Sequence, residues 1–178
     1  MGLVKKKAAP EAPPAEVARD PLAALEDADA AVRRDAAHGL GHSPPPGAEA
    51  ALARRLQADG DAGVREAILT ALARIATPAA AAAIVPFLDR EDAALRNAAL
   101  ESLQQMPAEV AAPALLPLLD HADADLRIFA VQGLGILAHP DRTDWLVRVM
   151  ERDCDVNVGL AAVEALAEAG SPEALSSL

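Results

Sequence analysis

Four arginines, Arg33, Arg65, Arg96 and Arg127, each stand four residues after an aspartate: Asp29, Asp61, Asp92 and Asp123. A fifth aspartate, Asp155, keeps the pattern but has Gly159 in place of the arginine. A row of guanidinium groups could line an anion-binding groove, because arginine presents a fork of donors to carboxylate or phosphate. The same residues could instead form a structural ladder, in which each arginine reaches an aspartate of its own or a neighbouring repeat. His38 and His42 are four apart, a spacing that can hold a metal if carboxylates complete the shell. No His-Glu pair occurs at either position, and His42 falls where a helix should end and a cation suits the dipole. Cys154 lies in Glu151-Arg-Asp-Cys-Asp, where flanking acids disfavour the reactive thiolate. No Gly-rich phosphate loop and no Gly-x-Ser-x-Gly elbow is present. Catalytic, cofactor-binding and metal sites are therefore not expected.

The elements that would carry these residues follow from their period. Asp29, Asp61, Asp92, Asp123 and Asp155 are spaced by 32, 31, 31 and 32 residues. Seven residues after each arginine, or after Gly159, stands a leucine: Leu40, Leu72, Leu103, Leu134 and Leu166. After each aspartate, apolar residues recur at helical spacing, as in Val64, Ile68, Ala71, Leu72 and Ile75. The aspartate is placed to accept from the first free N–H groups of that helix and to complement its dipole. Shorter helices are predicted before these, over 48–58, 79–88, 110–119 and 143–151. Pro86 and Pro117 lie one repeat apart inside two of them and should kink or break them. Ser43-Pro44-Pro45-Pro46-Gly47, Thr77-Pro78, Met106-Pro107, His139-Pro140 and Gly170-Ser171-Pro172 mark the turns between repeats.

A single hairpin of this size cannot bury its apolar side, whereas stacked copies share a continuous core. The expected fold is all-α, an α-α superhelix of about five helical hairpins over 20–43, 47–76, 78–106, 108–138 and 140–170, with Ser171–Leu178 opening a further helix. Residues 1–19, rich in Pro, Ala and Glu, read as a disordered tail. Alanine forms about a quarter of the 178 residues and aromatics 2%, which suits close-packed helices and excludes a β-sandwich. The net charge of -11 disfavours nucleic acid and acidic membrane surfaces as partners. Lys5, Lys6 and Lys7 lead into Ala-Ala-Pro rather than an apolar run, so no secretory signal is expected. The single cysteine points to a reducing compartment, read as cytoplasmic.

One helix face changes character along the chain. Positions one, five and nine after the arginine share that face. They are Glu66, Thr70 and Arg74, then Asn97, Glu101 and Gln105, then Ile128, Gln132 and Ile136, then Leu160, Glu164 and Glu168. Phe129 stands where other repeats have Ala67, Ala98 and Ala161, and Trp145 opens the last short helix. Apolar groups rimmed by acids suit docking of another protein. Ile128, Phe129, Gln132, Ile136, Glu164 and Glu101 are the candidate residues. Alternatively, these side chains fill gaps in the core or cap the end of the array.

The unit Asp-x-x-[Val/Leu]-Arg, then small residues, then Leu, resembles HEAT-like repeats of the phycobilisome-lyase type. Val64-Arg65-Glu-Ala67-Ile-Leu-Thr-Ala71-Leu72 and Leu95-Arg96-Asn-Ala98-Ala99-Leu100-Glu-Ser-Leu103 carry the resemblance, which covers residues 20–178. It implies a HEAT/ARM-like solenoid with a curved inner face, as in many bacterial proteins of diverse roles. It also favours the ladder, so Arg96→Ala is expected to lower thermal stability markedly. The metal-dependent hydroxylases built on this repeat use His-Glu pairs that are absent here. Two functions remain: a non-enzymatic scaffold for a protein with a basic patch, or a bilin-lyase-like or chaperone-like subunit acting on a tetrapyrrole-carrying protein.

Overall fold

The computed structural model describes residues 20–170. The tail read at residues 1–19 and the helix read from Ser171 lie outside the described residues. Within them the chain forms α1 (Pro21–Ala24), α2 (Ala30–His42), α3 (Ala48–Ala58), α4 (Ala62–Ile75), α5 (Pro78–Ile84), α6 (Ala93–Gln104), α7 (Ala108–Leu115), α8 (Ala124–Ile136), α9 (Arg142–Arg152) and α10 (Val156–Glu168). No strand occurs among the described residues. The even-numbered helices stack in order, α2 on α4 on α6 on α8 on α10, and α3, α5 and α7 form a second layer beside them. The molecule is an α-solenoid.

Each even helix begins at the expected aspartate. Asp29, Asp61, Asp92, Asp123 and Asp155 accept from the N–H groups of Ala31, Val64, Ala94, Asp125 and Asn157 at 2.8–3.0 Å. Such a cap stabilises a helix by about 1 kcal/mol. The short helices end as the prolines require. Pro86 and Pro117 have no N–H for the α-helical bond, so α5 and α7 tighten into 3-10 turns over Val85–Asp89 and Leu116–Asp120.

The five spaced leucines, Leu40, Leu72, Leu103, Leu134 and Leu166, are all buried. One core runs from Leu25 to Leu137, and a second, with Val131, Leu146, Val149, Val158 and Leu166, fills the space between α8, α9 and α10. Helix spacing within the even layer is uneven, and glycine explains part of it. A methyl group on Gly41 would lie 2.8 Å from Ala71 Cα, and one on Gly135 would lie 2.8 Å from Ala165 Cβ. Bare backbone therefore lets α2 approach α4 and α8 approach α10. The matching positions on α4 and α6 are Ala73 and Gln104. Gln104 reaches across instead, its Nε2 donating to the Gln132 carbonyl at 3.3 Å.

Candidate functional site

The arginine row is a structural clamp at two of the four junctions. Arg33 donates through Nε and Nη2 to Asp59 at 2.7 and 3.0 Å, and through Nη1 to the Asp27 and Ala28 carbonyls. It thus ties the loop before its own helix to the loop of the next repeat. Arg55 Nε adds a second guanidinium to Asp59, whose side chain is fully buried. Arg127 repeats the arrangement with Asp153 at 2.8 and 3.0 Å and with the His121 and Ala122 carbonyls. The Arg33 bond, with help from the Asp61 N–H and Arg55, holds the Asp59 carboxyl far below the usual carboxylate range, against the opposing effect of burial. Arg127 and the Asp155 N–H likewise lower the pKa of Asp153.

The carboxylates of this ladder are not the five aspartates that recur with the arginines. Asp29, Asp61, Asp123 and Asp155 turn inward to their own helix ends, and among the described residues they form no ion pair with the row. The partner stands two residues before the cap, because an arginine long enough to reach the next repeat meets the loop there. That column reads Asp27, Asp59, Arg90, His121 and Asp153. The partners due to Arg65 and Arg96 are therefore Arg90 and His121, and both Nε atoms are buried without an acceptor. Arg65 reaches only the cap Asp92, at 3.4 Å. Arg96 binds the Arg90 and Glu91 carbonyls and lies over the Phe129 ring, 5.7 Å from its centroid.

The marked loss expected of Arg96→Ala is thereby corrected, since Arg96 makes no rung. Its removal also relieves an unpaired buried donor. We expect Arg96→Ala to lower the thermal midpoint by about 3 °C or less, and Arg33→Ala to lower it several times more in the same melting series.

The candidate docking residues divide. Gln132, Ile136 and Glu164 line one groove of about 260 Å³ between α6, α8 and α10, with Leu100, Gln104 and Glu168. Glu101 lines the neighbouring groove between α4 and α6, beside Glu66, Asn97 and Arg65. Ile128 is half-buried against the second core. Phe129 packs against the main core, under Arg96. Both serve packing, and Phe129 leaves the docking set. Trp145 is also engaged, half-buried and stacked on His139 at 4.4 Å.

Two apolar residues outside that set belong to the same face. Val156, Leu160 and Ile136 are the large apolar side chains left exposed among the described residues, and all lie on α8 or α10. Val156 stands where the other repeats have Ala30, Ala62, Ala93 and Ala124, a substitution visible in the sequence. At the other end of the face, Arg74 Nη1 donates to His42 Nε2 at 2.6 Å while His42 Nδ1 bonds the His38 carbonyl, so both ring nitrogens are used. No group of three His, Cys, Asp or Glu among the described residues could hold a metal ion. Cys154 is exposed, and no helix of the described residues is long and apolar enough to cross a membrane.

A family model described as HEAT repeats matches residues 19–104 and 112–178. The chain is a HEAT-repeat protein. A second model, PBS lyase HEAT-like repeat, matches residues 95–121 of this HEAT-repeat protein. No curated protein matches its sequence significantly. Among solved structures it is similar to the complex of CpcE and CpcF of phycocyanin lyase from Nostoc sp. PCC7120, at 28% identity and a TM-score of 0.47. That match covers 88% of this chain and 66% of the other, so this chain spans just under two thirds of its length. A designed armadillo repeat protein in complex with the peptide (KR)4 is 19% identical, with a TM-score of 0.48 and coverage of 89% and 84%. An engineered protein is 20% identical, with a TM-score of 0.44 and coverage of 89% and 87%.

Proposed function

We propose that this HEAT-repeat protein is a non-enzymatic scaffold in the cytoplasm that binds another protein on the outward face of α8 and α10. The observation that carries this reading is the groove in which exposed Ile136 lies with Glu164 and Glu168, extended along α10 by the exposed Leu160 and Val156. Exposed apolar side chains set along one row of acids mark an interaction surface. Apolar contact supplies affinity there. The acids select partners bearing cations and speed their approach.

A following repeat would not cover this group. Ala62 and Ala93 match Val156, and Glu66 and Asn97 match Leu160; all four stay exposed although their helices have neighbours on both sides.

The test is Ile136→Glu with Leu160→Glu. Both side chains are more than half exposed, so the melting curve should be unchanged. Ile128 is left intact because it packs inward. Recovery of a native partner that binds the wild-type chain should fall at least tenfold. Full recovery by the folded double variant would place the interface elsewhere. Mixing the protein with a linear tetrapyrrole should leave the pigment's absorption band in place. A shifted band would replace the scaffold reading with a pigment-handling one.

A further inference from the structure

All three lysines of the chain are consecutive, Lys5, Lys6 and Lys7, directly after Leu3 and Val4. The α8–α10 face has the opposite character. From Asn97 to Glu168 its row positions carry Glu101, Glu164 and Glu168 and neither lysine nor arginine. The near end of the same face carries Arg34 and Arg74. With Glu66 the single acid among those near positions, a cationic segment is drawn to the last repeats rather than the first.

We propose that the segment Leu3–Lys7 docks on the α8–α10 face of its own chain, as a tethered competitor of the external partner. Leu3 and Val4 cover Ile136, and the lysines meet Glu164 and Glu168, which line the same groove. The inference rests on the docking reading above and names a second occupant for that face. The connection is long enough. From Lys7 to Asp20 there are 13 residues, which extend to about 40–45 Å. Three or four steps between stacked helices span about 25–40 Å. A tether of this length holds its end at about 1 mM. Against an intrinsic Kd of about 0.1 mM, that occupancy weakens an outside ligand about tenfold.

Zero-length carbodiimide coupling tests the contact in the full chain. Lysines occur nowhere else, so each lysine amide formed must involve Lys5–Lys7. Amides should concentrate on Glu164 and Glu168 and vanish at 1 M salt, where screening acts within about 3 Å. Amides spread evenly over the surface carboxylates would overturn the proposal. So would amides that join isotopically distinct copies in a mixed sample, since the occupant would then be a second chain.

The second measurement uses a fluorescent synthetic peptide, Gly-Leu-Val-Lys-Lys-Lys. The full chain carrying Lys5→Glu, Lys6→Glu and Lys7→Glu should bind it about tenfold more tightly than wild type. Equal binding by both chains would overturn the tethered occupant and leave the docking face standing. No binding by either would remove the face as a site for basic segments, and both readings with it.

Discussion

Replacing Asp59 by Asn should be the most damaging single change in the molecule. Asn keeps an oxygen for the Asp61 N–H, which Asp59 Oδ1 accepts at 2.9 Å. The substitution therefore removes the charge and spares the turn. What is lost is the buried anion shared by Arg33 and Arg55. Removing one partner of a buried pair costs about 3–5 kcal/mol, because the other charge stays behind without compensation. For a chain of this size that is a fall of about 10–15 °C in thermal midpoint. The damage should be local, since repeats touch only their neighbours. Amide exchange should quicken in α2 and α3 while α10 keeps its protection. A uniform loss along the array would contradict this account.

Acid should imitate the substitution. The folded Asp59 and Asp153 carboxyls titrate below their unfolded counterparts, so the folded chain binds fewer protons. Their contribution is complete above the unfolded value of about pH 4 and is lost progressively as the pH falls below it. Urea midpoints at pH 7 and pH 3 should therefore differ in the wild type and differ less in Asp59→Asn, where only Asp153 of the two still titrates in this way.

The opposite change should stabilise. Arg90→Asp and His121→Asp put a carboxylate where Asp59 and Asp153 stand in the clamped junctions. His121 Nδ1 already accepts the Asp123 N–H at 3.1 Å, as Asp153 Oδ1 accepts that of Asp155 at 2.9 Å. The loop is therefore shaped for the acid. Each substitution gives a buried guanidinium nitrogen, Arg65 Nε or Arg96 Nε, a route to an acceptor. Satisfying such a group is worth about 1–3 kcal/mol, or about 3–8 °C. His121→Asp should give the fuller gain, because Arg90→Asp also removes the stacking of Arg90 on Phe87 at 5.2 Å. His121→Asn keeps the turn without the charge and should give little. A midpoint unmoved by His121→Asp would show that the unpaired Arg96 nitrogen is not a cost.

Helix positions were legible because period and capping are local. An aspartate before a run of apolar residues at helical spacing needs only its own chain to act. The partner of each arginine was harder to see, because that contact joins residues 26 apart through a long side chain. The column Asp27, Asp59, Arg90, His121, Asp153 stood in the sequence, but the more regular aspartates two residues later drew the assignment. Phe129 shows a different limit. Phenylalanine for alanine announces added volume, and sequence alone does not say whether it points to solvent or to a neighbouring arginine. The row of every fourth residue after the arginine holds Ile136 and Leu160, which are exposed, and Ile128, which packs inward, so the spacing alone does not separate them. Val156 lies one turn before that row begins, in the first turn of its helix.

The missing rungs fall on either side of α6, where Ala73 and Gln104 stand in place of Gly41 and Gly135. Pulled between its ends, the array should therefore lengthen first at its third repeat, while the first two and the last two repeats move as paired blocks. A partner that spans both blocks would feel this as compliance, trading a small elastic cost for a choice of curvature.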